Sequence, residues 1–419
     1  MIVILQFLRW LLLAIEIVFA CPIVYLCVVS FSALLANWKR TTQGNQRNQE
    51  ATTQTRFAIL IPAHNEEVIL GTLLESLSQL TYPKERYKIC VIADNCTDQT
   101  ANLARQFEDV QVYERFNTEK RGKGYALSWM WQQLAESQQV YDAYVILDAD
   151  SVVTPTFLHT MSKKLEQGRC ALQAHYTVLN ATASPSTALR WIALTLVNYV
   201  RPLGRSSLGC SATLTGNGMC FSHELLQRYP WQAFGLTEDY QYYLTLVQHG
   251  VRVEFVPEAI VRAQMPVTFE QMRTQDVRWE TGAPQQSQWR LVLRLLGTGL
   301  RTRNLICLEA VAELLTPPLS LLVTFCLLIL TDSLLLWVPL QIVFGLLLVA
   351  GIAFYIGTAL YLQRPPATAY KALLHAPGFV LWKLWVFFVL SRSKKHTKEW
   401  VRTTRTVVSI LNRSQELQQ

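Results

Sequence analysis

Apolar positions run almost without a break from Trp10 to Ala36, interrupted by Glu16, Pro22 and a few small polar residues. A run of that length fits a membrane-spanning helix. It is too long for a secretory leader and lacks a small-residue cleavage site. Glu16 is costly in lipid and is expected to face another helix or the outer interface. Lys39, Arg40, Arg47 and Arg56 follow, which puts the next segment on the cytoplasmic side. Residues 41–55, rich in Gln, Asn and Thr, read as a polar linker. Two further spans fit at about residues 311–330 and 334–362, with Pro317-Pro318 kinking the first and Thr331-Asp332-Ser333 turning between them. Residues 372–390 are apolar too, but Pro377 and Lys383 interrupt them and aromatics crowd one portion (Trp382, Trp385, Phe387, Phe388). A crossing there would put the basic tail outside, so an interfacial helix is expected. The expected topology is N-terminus out, three spans, and both middle domain and tail inside.

Between the membrane segments the pattern changes. Apolar, β-branched runs at 57–61, 87–93, 110–113, 143–147 and 171–178 alternate with helical spacing at 66–80, 98–107, 124–135 and 155–166. Such alternation predicts right-handed βαβ units and a mostly parallel sheet, an α/β fold. The implied division is a transmembrane helix (1–36), a linker (37–55), an α/β domain (56–300), two transmembrane helices (301–365), and an interfacial helix with a basic tail (366–419).

Composition sharpens this. Hydrophobic residues make up 51% and charged ones 16%, with the apolar excess at the two ends. Net charge is +8 (38 basic minus 30 acidic), and much of the surplus lies in Arg392, Lys394, Lys395, Lys398, Arg402 and Arg405, offset only by Glu399. A juxtamembrane cluster of this kind is attracted to anionic lipid on the cytoplasmic face, and no nucleic-acid partner is expected. The nine cysteines form no C-x-x-C pair, which argues against structural zinc or a disulfide framework. No G-x-G-x-x-G follows the first strand, which disfavours a nicotinamide or flavin dehydrogenase. Arg121-Gly122-Lys123-Gly124 is not a P-loop, because no buried strand leads into it.

The candidate chemistry lies where strands end, the usual ligand side of an open α/β sheet. Asp148 and Asp150, one residue apart after 143–147, can share Mg²⁺ or Mn²⁺ with diphosphate oxygens, or form a solvated turn. Asp94 ends the second strand and can accept from a nucleobase N–H, whereas Asp98 reads as a helix cap. Glu238 and Asp239 open a helix, as N-terminal decoration or as a general base toward an acceptor hydroxyl. In Gln275-Asp276-Val277-Arg278-Trp279, Gln275 and Trp279 share a helix face, Arg278 can clamp a diphosphate, and Trp279 can stack on a sugar.

In order and spacing, D-x-D, Thr237-Glu238-Asp239 and Q-x-x-R-W resemble family 2 of the glycosyltransferases over residues 56–284. They are most similar to the membrane-bound branch that includes cellulose, chitin and hyaluronan synthases and ceramide glucosyltransferase. The resemblance implies a GT-A fold and an inverting hexosyltransferase with a nucleotide-diphospho-sugar donor (UDP-linked), a divalent metal (Mg²⁺ or Mn²⁺), and a polysaccharide or lipid acceptor at the inner or plasma membrane. By motif, Ala63, His64, Glu66 and Asp94 would line the nucleoside, Lys123 would lie near the donor, and Asp148 and Asp150 would hold donor and metal. Glu238 and Asp239 would be catalytic, with Asp239 the base. Arg278 would meet the diphosphate, and Gln275 and Trp279 the acceptor, beside the loop Thr215-Gly216-Asn217. Two departures stand out. The second strand ends Ala93-Asp94-Asn95 instead of Asp-Asp-Gly, and the acceptor loop reads Thr-Gly-Asn instead of Cys-Gly-Ser. Three spans are few for a self-contained polymer channel, so a lipid acceptor, a channel-forming partner or a homo-oligomer is expected. The competing readings are a single-transfer glycolipid synthase of ceramide glucosyltransferase type and a catalytically silent membrane scaffold; a transporter fits least.

Overall fold

The computed structural model describes residues 2–43, 54–137, 139–235, 237–266, 288–365 and 367–390. The N-terminal apolar run is one helix, α1 (Ile2–Gln43). It continues past residue 36 into the expected linker, with Thr41 and Thr42 hydroxyls bonded back to carbonyls one turn earlier. The chain then alternates as β1 (Phe57–Ala63), α2 (Leu70–Ser78), β2 (Tyr87–Asp94), α3 (Thr100–Ala104), β3 (Val110–Arg115), α4 (Lys123–Glu136) and β4 (Ala143–Ile146). Helices α2 and α3 start later than their apolar spacing suggests. The turns that precede them hold Asn65 and Asn95 in the left-handed region (φ 57° and 51°), which asparagine tolerates.

Next come β5 (Ser151–Val153), α5 (Phe157–Glu166), β6 (Ala171–Val178), α6 (Pro185–Thr195), a π-helical turn (Leu196–Val200), α7 (Arg201–Ser207), β7 (Met219–Ser222), α8 (His223–Arg228), α9 (Glu238–Gln248) and β8 (Glu254–Ala263). All strands join one sheet in the order β3-β2-β1-β4-β7-β6-β8-β5. The first four run parallel, Ile59 lying opposite Ile89 and Val145, and β7 then pairs antiparallel to β4. Both faces are covered, which is why β1 is apolar throughout. Phe57, Ile59 and Ile61 pack toward α2 and α5, while Ala58 and Leu60 face α4, α9 and the membrane-side helices.

The C-terminal part comprises α10 (Gln288–Thr302), α11 (Leu305–Leu315), α12 (Leu319–Leu335), α13 (Pro339–Gln363), α14 (Ala367–Ala372) and α15 (Ala376–Trp385). Thr316-Pro317-Pro318 does more than kink a span: it separates α11 from α12, which meet at 63°. The turn expected at Thr331-Asp332-Ser333 lies instead at Leu336-Trp337-Val338. Thr331 and Ser333 fold their hydroxyls onto carbonyls within α12, and the helix ends before Pro339, which starts α13. Among the described residues, two helices are long and apolar enough to cross a membrane, at Leu13–Thr42 and Pro339–Gln363, or three spans if the bent pair counts as one. Glu16 is buried and faces Ser333 of α12, as its cost in lipid suggests. The 372–390 stretch divides into a 3₁₀ turn (Leu373–His375), α15 and a π-helical turn (Val386–Leu390).

Candidate active site

Because β1, β2 and β4 are parallel, their carboxyl ends deliver Ala63-His64, Asp94 and Asp148 to one edge of the sheet. Ala63 is buried opposite Ala93, and the ring Nδ1 of His64 lies 2.7 Å from the Asp94 carbonyl. The Glu66 N–H donates to Thr100 Oγ1, joining the two turns. Asp98 accepts from the Thr100 N–H at 3.0 Å, but the N-cap position of α3 is Gln99, one residue on from the cap expected. Asp94 is 6% exposed and takes Arg115 Nη1 at 2.5 Å and Asn95 Nδ2 at 2.9 Å on one oxygen. Burial pushes its carboxyl up, and Arg115 opposes that shift. Arg115 also donates to the Lys120 carbonyl at 2.7 Å, so this pair braces the loop that leads into α4.

Lys123 starts α4, and its ammonium is the centre of the site. It donates to Asp148 Oδ1 at 2.6 Å and to the Gly216 carbonyl at 2.5 Å, and lies 4.0 Å from Glu238 Oε1. Burial disfavours the charged amine, but Asp148 and then Glu238 outweigh it, and the Lys123 pKa is raised. Gly216 has φ 79°, and a Cβ there would stand 3.1 Å from Asp239 Oδ2. A side chain at 216 would therefore crowd the carboxylate. Asp239 is anchored through Oδ1 to the Tyr240 N–H at 2.8 Å, at the N-terminus of α9.

Burial pushes the Glu238 carboxyl up to about 7, with Asp239 adding to the shift and Lys123 opposing it. Asp239 is also raised, mainly by burial. Three carboxylates thus face one ammonium. That surplus of negative charge suits a divalent cation at Asp148 and Asp150, the former with an accessible side chain (37%). Among the described residues no three His, Cys, Asp or Glu side chains cluster at metal-binding distance. A cation at Asp148 and Asp150 would have to draw its remaining ligands from substrate or water oxygens.

The acceptor loop departs from expectation at Asn217. Its side chain is fully buried, accepts from the Asp148 N–H at 3.2 Å and donates to Ser151 Oγ at 2.7 Å. It fixes the D-x-D turn from behind, and both its amide oxygen and its amide nitrogen are committed to the protein. The Thr215 N–H donates to Gln173 Oε1 at 3.0 Å, while its Oγ1 is buried without a hydrogen-bond partner among the described residues. Gln275, Arg278 and Trp279 lie outside the described residues. Sequence reading did not single out Arg115, Gln173 or the stacked pair Tyr125–Phe234 (4.5 Å) near the start of α4. No short motif links them, since each meets its partner only through the fold.

Residues 54–282 match the model of the family described as glycosyltransferase like family 2, more than half of the chain, and the chain belongs to that family. The fold is the α/β arrangement of its GT-A type. It is 26% identical over 235 residues to a probable glycosyltransferase, YdaM, of Bacillus subtilis, covering 54% of this chain and 55% of that one. It is 27% identical over 247 residues to a beta-monoglucosyldiacylglycerol synthase of Nostoc, covering 57% and 51%. The chain thus spans about half the length of these curated relatives. A mannosyltransferase from Pyrobaculum calidifontis, solved with GDP-Man and Mn²⁺, superposes with TM-score 0.48 at 15% identity over 89% of this chain and 96% of that one.

Proposed function

We propose that the protein is an inverting transferase that moves a sugar from a nucleotide-diphospho-sugar, UDP-linked, to a lipid or growing glycan at the membrane. The observation that carries this is the meeting of Asp239, Lys123, Asp148 and Gly216 at the carboxyl edge of the sheet. The membrane-facing helices and the similarity to a glycolipid synthase favour a lipid acceptor over a polymer.

In this reading Asp239 takes the proton of the acceptor hydroxyl as that oxygen attacks the anomeric carbon opposite the diphosphate. Burial raises the carboxyl's basicity and so suits it to that role. Lys123 holds Asp148 and the Gly216 carbonyl together, fixing the donor side against the acceptor loop. Arg278 would neutralise the departing diphosphate. A cation at Asp148 and Asp150 would supply Lewis-acid stabilisation of the same charge. The domain works on the cytoplasmic side, N-terminus outside. Asp148, Asp150 and Asp239 are all present, against a silent scaffold.

The test is transfer by the full chain in nanodiscs from a panel of labelled UDP- and GDP-sugars, with chelator and with Mg²⁺ or Mn²⁺ restored, followed by analysis of lipid and polymer fractions. Asp239→Asn is expected to lower turnover by about 10²–10⁴-fold. Undiminished transfer in that variant would remove the base.

A further inference from the structure

Outside the catalytic cluster, Arg205 on α7 is buried, 1% exposed, and bonded to several elements. Its Nε and Nη2 hold the two oxygens of Glu309 on α11, at 2.5 and 2.9 Å. The same guanidinium donates from Nη2 to Tyr243 Oη at 2.8 Å and from Nη1 to Thr213 Oγ1 at 2.6 Å. Around it, Arg201 bonds Glu313 at 3.0 Å and Tyr355 of α13 at 2.7 Å, while Tyr25 of α1 reaches Glu309 at 2.6 Å and Glu313 at 3.0 Å. The network therefore runs from the membrane helices into the α/β domain.

Its two ends on the domain side are informative. Tyr243 lies four residues after Asp239 on α9, so the two side chains share a helix face one turn apart. Thr213 begins the segment that carries Thr215 and Gly216, and Gly216 is the residue whose backbone closes on Asp239. Arg205 thus ties the helix that carries Asp239 and the segment that leads to Gly216 to a carboxylate of the bent membrane pair. A planar fork with five donors is suited to such a three-way joint, and lysine is not.

We infer that Arg205 is a positioning residue that sets the base helix and the acceptor loop against the membrane helices, so that Asp239 meets an acceptor presented from the membrane. The inference rests on the proposed assignment of Asp239. Tyr243→Phe and Thr213→Val each delete one link while leaving Arg205 paired with Glu309. Loss of either link lets its segment shift, and sub-ångström misplacement of a base slows chemistry more than it weakens binding.

The test measures kcat and KM for the nucleotide sugar, nucleotide binding by calorimetry, and the unfolding temperature, in the full chain in nanodiscs. Expected for both variants is a fall in kcat of about tenfold at temperatures well below unfolding, with donor KM and nucleotide affinity unchanged. Wild-type kcat in both variants beside an inactive Asp239→Asn protein would overturn the positioning role alone. A kcat loss that only tracks a lowered unfolding temperature would also overturn it, since that is a folding effect. Full activity in Asp239→Asn would overturn both this role and the base assignment.

Discussion

At the residue scale, buried ionisable groups reveal where the fold works against solvation. His175 on β6 is 4% exposed, packed against Tyr199 at 4.6 Å and Phe255 at 6.4 Å between ring centroids. Burial, then Arg262 and Arg40, lower its pKa from 6.5 to about 3. The sign follows directly. The unfolded chain binds a proton on this ring between those values and the folded chain does not, so stability is full above about 6.5 and declines as the pH falls toward 3. The loss across that window is on the order of 5 kcal/mol. His175→Leu should flatten this acid limb, read from unfolding temperature against pH in detergent; an unchanged profile would place the acid lability elsewhere. Asn217 shows the opposite lesson at this scale. A polar residue beside a substrate loop looked like a ligand, yet it is a buried strut whose amide satisfies the D-x-D turn.

At the scale of elements, close approach decides where the membrane helix meets the domain. A Cβ on Gly204 of α7 would stand 2.0 Å from the Val29 carbonyl of α1. Nearby, the Ser207 hydroxyl donates to the Ser32 carbonyl at 3.3 Å. Gly204→Ala must therefore push α7 off α1 and is expected to cost about 1–3 kcal/mol, measured as a lower unfolding temperature. An unaltered unfolding temperature would mean that the two helices are not in contact there. Helix α10 carries a second element-level signal. Trp289, Leu293, Leu296 and Leu300, spaced i, i+4, i+7 and i+11, stay exposed, while Val292 and Leu295 are buried. Its arginines, Arg290, Arg294 and Arg301, lie on the exposed side as well. Hydropathy alone missed this amphipathic helix because its apolar residues are diluted by arginine. β1, β2, β4 and β6 were legible as largely buried apolar runs, and the half-buried edge strand β3 by the alternation of Val110 and Val112. β5, β7 and β8 were not: β5 and β7 are short and follow no βα alternation, and Pro257 and Glu258 break the apolar run of β8.

At the scale of the whole molecule, with the domain on the cytoplasmic side as proposed, the bent α11–α12 pair decides the topology. If it crosses, α13 returns to the cytoplasm and the basic tail stays inside; if it re-enters, α13 leaves the tail outside. The surplus of Lys and Arg after residue 390 favours the first. A reporter fluorescent only in the cytoplasm, fused after Gln419, should therefore be bright. An alkaline phosphatase active only outside should be silent at the same place, and the reverse pattern would make the pair re-entrant.

The order of D-x-D, T-E-D and Q-x-x-R-W, and the apolar runs on either side, were properties of the sequence by itself. Strand-end carboxylates and hydropathy are local, and they were enough to reach the family and the parallel half of the sheet. Only the tertiary structure decided how the carboxylates are used. Lys123 pairs with Asp148, Asp94 is spent on Arg115, and Glu238 and Asp239 are raised by burial. The same holds for Arg205, whose partners at positions 213, 243 and 309 are remote in the chain. Pairing and desolvation depend on which segments meet, and no local pattern encodes that meeting.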